Sequence, residues 1–304
     1  MQTIRHRGTH SFDRITAKFI DGLPLLIVGN QYFVDGNNGS DSNAGTISGK
    51  ALATVAAAIA KAVANDVIFV FPGEYDEAVT IARTKSNLTI VGLGGRGAAY
   101  IAPSATNATA LTNHSDDLTL VNIGLDGDGA GSALSNTGSR LRVYDCKIEG
   151  GTIGVLLTLG TVVQKAAGTH GSGADLWFFN CEFCWNTIGI KLVCTDYGAV
   201  TQVRFRDCTF HDNSAADFEE AAGSGGSAAV GFRDLDIGEC HFLRQEDGTT
   251  PTKYISLNDA NENSGVVHGC SFPSAINSGF NLVSTALIWV GNFHAGGLST
   301  GQPS

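Results

Sequence analysis

Short runs of alternating apolar and polar residues recur along the chain with one layout: two apolar positions two apart, a turn residue, then two more apolar positions two apart. The layout reads Leu118-x-Leu120-x-Asn122-Ile123-x-Leu125, Leu141-x-Val143-x-Asp145-Cys146-x-Ile148, Leu176-x-Phe178-x-Asn180-Cys181-x-Phe183, Val203-x-Phe205-x-Asp207-Cys208-x-Phe210 and Leu235-x-Ile237-x-Glu239-Cys240-x-Phe242. Weaker copies are Val267-x-Gly269-Cys270-x-Phe272 and Ile288-x-x-Gly291-x-Phe293, with a degenerate first copy at Leu88-x-Ile90-x-Gly92-Leu93. Copies recur every 21 to 35 residues.

Period-2 alternation predicts a strand in each half, and the Asn, Asp or Gly between the halves predicts a bend through the left-handed region. One such unit is too short to bury its own apolar face, so the units must stack, each covering the next, as a solenoid of β-strands. The uneven spacing predicts loops of different length on one edge, such as Gly160–Ala174 and Asn213–Arg233. Secondary strands at Ile153–Leu159, Ile188–Val193, Tyr254–Leu257 and Phe280–Val283 complete the coils. Ahead of the repeats, an Ala-rich stretch places Leu52, Val55, Ile59 and Val63 at helical spacing and predicts an amphipathic helix over 51–64.

Composition fits this picture. Only 16% of the residues are charged and 39 are glycine, against about 25% charged and about 7% glycine in ordinary domains. The net charge of −10 disfavours a phosphate-tracking surface, so no nucleic-acid partner is expected. No apolar run approaches the length of a membrane span, and Leu23–Val28 is too short and too late for a secretory signal, so no membrane partner is expected either. Charge is unevenly placed: residues 1–30 carry +2 through Arg5, Arg7, Arg14 and Lys18, and residues 31–304 carry −12. Two readings of this arm stand, a frayed or strand-paired terminus and a docking arm for an acidic partner surface.

Five of the seven cysteines, Cys146, Cys181, Cys208, Cys240 and Cys270, share one inward position of the repeat and predict an internal ladder beside Phe183, Phe210, Phe242, Phe272 and Phe293. Residues stacked in parallel face the same way, a poor geometry for disulfides, and unpaired thiols fit assembly in a reducing cell. Cys181-x-x-Cys184 has no second pair at zinc-finger spacing and a strand puts the two on opposite faces, so no metal site and no cofactor are expected. Asp126-x-Asp128-Gly129 matches only a fragment of a calcium loop.

With its stacked repeats, the chain resembles the pectate-lyase-like, right-handed parallel β-helix family. The resemblance extends to the opening segment, Tyr32-Phe33-Val34-Asp35-Gly36-x-x-Gly39-Ser40-Asp41-Ser42-Asn43-x-Gly45, followed by the helix and by Asp66-Val67-Ile68-x-Val70-x-Pro72-Gly73-x-Tyr75-x-Glu77. It implies an all-β, single-stranded right-handed parallel β-helix of about eight coils, one for each copy of the repeat, with an N-terminal helix capping the exposed strand edges of the open end. Lys50-Ala51 departs from the pattern where a proline is often found. The expected organisation is an arm at 1–30, an opening segment at 31–92, the coil at 93–296 and a tail at 297–304.

The outward repeat positions are Thr119 and Val121, Arg142 and Tyr144, Trp177 and Phe179, Arg204 and Arg206, Asp236 and Gly238, Val266 and His268, and Leu287 and Trp289. Lyases of the resembled family hold calcium with several aspartates and its hydrolases cluster carboxylates, whereas this face is aromatic and basic. Catalytic carboxylates would have to come from loops, with Asp207, Asp212, Asp217, Glu219 and Glu220 as candidates and Glu246 and Asp247 behind them. Solvated loop charge is the expected role for these. The stripe Arg142, Tyr144, Trp177, Phe179, Arg204, Arg206, Leu287 and Trp289 is expected to serve a homotrimer interface or, as the alternative, a host-surface glycan platform.

The basic arm, helical cap and compact coil are similar to the β-helix proteins of tailed-phage virions. That resemblance implies a capsid decoration or cement protein, made in the host cytoplasm, whose partner is the major capsid protein or another virion protein. In it Arg5, Arg7, Arg14 and Lys18 would pair with capsid carboxylates while Ile15, Phe19, Leu23 and Leu25 bury apolar surface. The coil is expected to end at Phe293, with no room for the trimerisation region usual in tailspikes. A polysaccharide lyase or hydrolase and a noncatalytic glycan-binding fibre are the alternatives.

Overall fold

The structure, a computed structural model, describes residues 29–159, 174–194, 200–221, 232–243, 251–257, 264–273, 280–282, 286–294 and 297–299. The arm residues Arg5, Arg7, Arg14, Ile15, Lys18, Phe19, Leu23 and Leu25 lie outside them, as do Glu246 and Asp247. No helix among the described residues is long and apolar enough to cross a membrane.

The chain winds as a right-handed parallel β-helix with three sheets. The first sheet stacks Gln31–Val34, Val67–Val70, Thr89–Gly92, Thr119–Val121, Arg142–Tyr144, Ala174–Phe179, Val200–Arg206, Leu235–Gly238, Ser264–His268 and Ala286–Val290 in chain order. It therefore begins two rungs before the repeat is legible, at Gln31–Val34 and Val67–Val70. The second sheet runs from Gly73–Tyr75 through Ala99–Ile101, Ile123–Asp126, Lys147–Glu149, Glu182–Cys184 and Thr209–His211 to His241–Phe242. The third runs from Val79–Ile81 through Leu111–Asn113, Ser132–Asn136, Ile153–Leu159, Ile188–Cys194, Ala216–Glu220 and Lys253–Leu257 to Phe280–Leu282.

Corners recur with the rungs. Asn122, Asp145, Asn180, Asp207, Glu239, Gly269 and Gly291 join the first sheet to the second with φ between 51° and 63°. A second left-handed series marks the entry to the first sheet, with Asn87, Asp117, Arg140 and Asp234 just before a strand and Asp175 and Gln202 near the start of Ala174–Phe179 and Val200–Arg206. Asn and Asp tolerate this conformation because their short polar side chains bond locally; Asn122, for example, donates its side-chain amide to the carbonyls of Gly92 and Gly94 in the rung before.

Inside, register turns repeated residue types into ladders. Phe178 stacks on Phe205 with ring centroids 4.8 Å apart, and Phe183, Phe210, Phe242 and Phe272 follow one another at 4.6–4.9 Å. Such stacks add about 0.5–1.5 kcal/mol per pair beyond the area they bury. Cys146, Cys181, Cys208, Cys240 and Cys270 are buried and unpaired in the same core, and burial pushes the Cys146 and Cys208 thiols up.

The N-terminal end is covered. Its helix spans Val55–Lys61, shorter than the predicted 51–64, with a 3-10 turn at Ser48–Lys50 before it. The start is set by acceptors: Asp41 takes the backbone N–H of Ala53 and Thr54, Glu77 those of Val55 and Ala56, and Thr54 caps Ala57. Leu52, Val55 and Ile59 plug the first coils, whereas Val63, beyond the helix end, points to solvent. The outer face is closed here as well. Phe33, Phe69, Val91 and Val121 pack with Ala51 in a second apolar cluster, so Val121 is buried rather than part of an exposed stripe.

The C-terminal end departs from the predicted register. In Ala286–Val290, Trp289 pairs with inward Val267, so Leu287 and Trp289 are buried at 4% exposure while Ile288 stands at 61%. Four successive apolar residues carry no parity signal, and the inward column is taken by the ring that continues the aromatic stack, Trp289 on Phe272 at 5.5 Å. The shift persists beyond Gly291. Asn292 fills the buried position of the cysteine column, accepting from the Cys270 N–H and donating to the Val267 carbonyl, and Phe293 is exposed.

Candidate functional site

The predicted interface stripe is two things. Arg142, Tyr144, Trp177, Phe179, Arg204 and Arg206 share the outer face of the first sheet, as expected from register; Leu287 and Trp289 do not, because they belong to the core. Much of the face is occupied by its own members. The Trp177 ring lies between the Arg142 and Arg204 guanidiniums, each 4.7 Å from its centre, and its Nε1 donates to Asp175, which also pairs with Arg142. Arg206 binds Asp236 at 2.5 Å and His268 at 2.6 Å above Gly238, where a Cβ would collide with both Arg206 and His268. Phe179, beside Tyr144 at 6.4 Å, remains open.

The predicted loop carboxylates do not converge either. Asp217, Glu219 and Glu220 belong to the strand Ala216–Glu220, not to a loop, and are not solvated charge as a group. Asp217 is wholly buried, accepts from the Asn213 amide at 2.9 Å, and is held well above the usual carboxylate range by burial with help from Asp212. Glu220 is buried beside Leu192, Glu219 pairs with Lys191 at 3.1 Å on the outer face of the third sheet, and Asp207 is an exposed corner residue. Only Asp212 joins a chemically mixed group: it binds His211 Nδ1 at 2.6 Å.

That group lies on the outer face of the second sheet. Register stacks Glu149 on Asp126, Cys184 on Glu149 and His211 on Cys184, with Lys147 and Glu182 in the neighbouring column. Tyr100 reaches Glu149 by crossing Gly124, where a side chain would strike its ring. Glu149 also binds Lys147 Nζ at 2.7 Å and accepts from the Cys184 thiol at 3.3 Å. Glu182 is 3.7 Å from the same sulfur, 3.3 Å from His211 Nε2 and 3.5 Å from Arg96. Burial pushes Asp126 and Glu149 above the usual carboxylate range, with Asp128 adding to the first and Glu182 to the second, and it pushes the Cys184 thiol far up. Glu182, Cys184 and His211 bring a carboxylate, a thiol and an imidazole within 4.8 Å of one another.

Sequence reasoning missed this cluster because it followed outward positions only in the first half of each repeat. The signal was present in the same alignment: Glu182-x-Cys184 and Thr209-x-His211 occupy the outward positions flanking Phe183 and Phe210, so the repeat itself puts Cys184 and His211 in one column.

No protein-family model matches the chain, and no curated protein matches it in sequence. Solved structures do. A pectin methylesterase from Aspergillus niger is 16% identical with a TM-score of 0.56, covering 90% of this chain and 88% of its own. The pectin methylesterase from carrot is also 16% identical, at 0.58 with 91% and 86% covered. The pectate lyase Pel9A is 12% identical, at 0.52 with 88% and 76% covered. At these identities the likeness speaks to architecture alone, and what it establishes is the parallel β-helix itself.

Proposed function

We propose that the protein is a structural one, a decoration or cement protein on the outer shell of a tailed phage that assembles as a homotrimer. The observation that carries this reading is the last described rungs of the coil, where Ile288, Val290 and Phe293 leave large apolar side chains exposed. Exposed apolar surface of this kind marks contact with another protein. Two further features support it. The carboxylates singled out as catalytic are dispersed over a corner, a strand interior and two faces, and the aromatic and basic stripe, largely engaged within the chain, is a poor glycan platform, which leaves the end of the coil as the trimer contact. The basic arm would supply the shell contact, its apolar residues contributing more than its exposed charges.

Sedimentation of the full chain tests the assembly. A trimer is expected, and Ile288→Lys with Phe293→Lys should give a folded monomer; a monomeric wild type, or a double variant that stays trimeric, overturns the reading. Copy number in purified particles, by quantitative mass spectrometry against the major capsid protein, separates shell decoration at hundreds of copies from a spike at a handful.

A polysaccharide-acting enzyme is the second reading, favoured by Asp126, Glu149 and Glu182 lying on one face of a fold whose neighbours include pectin methylesterases and a pectate lyase. Carboxylates on adjacent rungs stand about 4.8 Å apart at the backbone, near the roughly 5–5.5 Å of retaining glycosidases. Release of reducing ends or unsaturated uronates, lost in Asp126→Asn, would establish it.

A further inference from the structure

We propose that Glu182, Cys184 and His211 form a three-ligand binding site for a borderline-soft divalent cation such as Zn²⁺ on the outer face of the second sheet, with the fourth position left to water. The inference rests on the geometry of this cluster and is independent of the structural function proposed above.

The donor set is mixed in the way zinc sites are, with thiolate, imidazole and carboxylate. Its spacing fits as well. Metal–ligand bonds of about 2.0–2.1 Å to nitrogen and oxygen and about 2.3 Å to sulfur, arranged tetrahedrally, put nitrogen and oxygen about 3.3 Å apart and sulfur and oxygen about 3.6 Å apart. His211 Nε2 and Glu182 Oε1 are 3.3 Å apart, and Cys184 Sγ is 3.7 Å from Glu182 Oε1. The three side chains come from two successive rungs of one sheet, Glu182–Cys184 and Thr209–His211, so rigid backbone pairing sets their positions.

A second observation points the same way. His211 turns Nε2 into the cluster and places Nδ1 on Asp212 at 2.6 Å, the carboxylate–histidine pairing that fixes the tautomer of metal-bound histidines. Asp212 is thus a positioning residue. Arg96 on Glu182 and Lys147 on Glu149 balance part of the negative charge that two carboxylates and a thiolate bring. Binding requires the Cys184 thiol to lose its proton to solvent as the sulfur–metal bond forms. The thiol and imidazole select against Ca²⁺ and Mg²⁺, which take oxygen ligands.

The test is a Co²⁺ titration of the full chain after chelator treatment, followed by absorption. One equivalent is expected to produce a thiolate-to-cobalt charge-transfer band and the intense visible bands of a four-coordinate site, both erased by Zn²⁺ and not by excess Ca²⁺. Cys184→Ser should abolish the charge-transfer band with the circular-dichroism spectrum unchanged. Asp212→Asn should weaken Co²⁺ binding about 10- to 100-fold while the band keeps its position. Failure of the wild type to give a thiolate band, its displacement by Ca²⁺, or its survival in Cys184→Ser would overturn the proposal, and the first of these needs no variant to fold. A trimer that binds no Co²⁺ would remove the site and leave the structural reading in place.

Discussion

The two ends of the coil are built differently. At the N-terminal end a seven-residue helix plugs the interior, and Ala51 packs with the outward column Phe33, Phe69, Val91 and Val121. At the C-terminal end the interior is finished by Trp289 and Asn292, yet Ile288, Val290 and Phe293 are left facing outward. A stack of identical rungs buries everything except its two terminal cross-sections and whichever outer face no segment crosses. One end meets that demand from within the chain; at the other, among the described residues, Gly297–Ser299 pairs back on Asn292–His294 but Ile288, Val290 and Phe293 stay exposed, and the proposed trimer would cover them.

The largest way to break this contrast is to open the covered end. Leu52→Ala removes a fully buried side chain beneath the helix and should cost about 2–5 kcal/mol, read as a fall in the urea midpoint. Glu77→Ala, which strips the acceptor from two helix N–H groups, should cost about 1–2 kcal/mol in the same assay. Asp217→Asn, midway along the coil, serves as a reference that belongs to neither end and should act in the opposite sense, stabilising by about 1 kcal/mol at neutral pH. Its pH dependence follows from burial. The folded state holds the Asp217 proton after the unfolded chain has released it, so stability present at acid pH is lost as pH climbs from the ordinary carboxylate value through the elevated one. The variant should flatten that slope, and an unchanged slope would count against a buried acid there. Smallest of all, Ile288→Ser should change the stability of the isolated monomer by no more than about 0.5 kcal/mol, since its side chain leaves one solvent-facing state for another. A larger loss at trimer-forming concentration would locate the contact.

The interior of the coil was readable from the sequence wherever the parity of apolar residues was clean. Leu141-x-Val143 and Val203-x-Phe205 admit one register because the intervening residues are Arg142 and Arg204, whose guanidiniums lie on the Trp177 ring outside. Leu287-Ile288-Trp289-Val290 admits two, and only the size of the Trp289 ring against Phe272 decides. The first two rungs escaped because Gln31–Val34 and Val67–Val70 are apolar on both faces, one for the core and one for Ala51, Phe33 and their neighbours, so alternation vanishes where a strand is covered twice. The outer cluster at Glu149, Glu182, Cys184 and His211 was hidden for a different reason. Polar residues in a strand look alike as solvent-facing positions until register shows which of them share a column, and the 35-residue gap between the second and third clear copies conceals that Glu149 and Cys184 are neighbours.

Because a single left-handed residue joins first-sheet to second-sheet strands in coil after coil from Asn122 to Gly291, insertions and deletions are partitioned by the geometry. One residue gained at that corner would turn the following strand over and set its core residues against water, whereas residues gained where the third sheet returns to the first leave both strands in frame. Such a chain can lengthen by whole coils or at the connections on either side of the third sheet, between Ile101 and Leu111 or Phe242 and Lys253 as well as between Leu159 and Ala174, where new surface can be tried without disturbing the core.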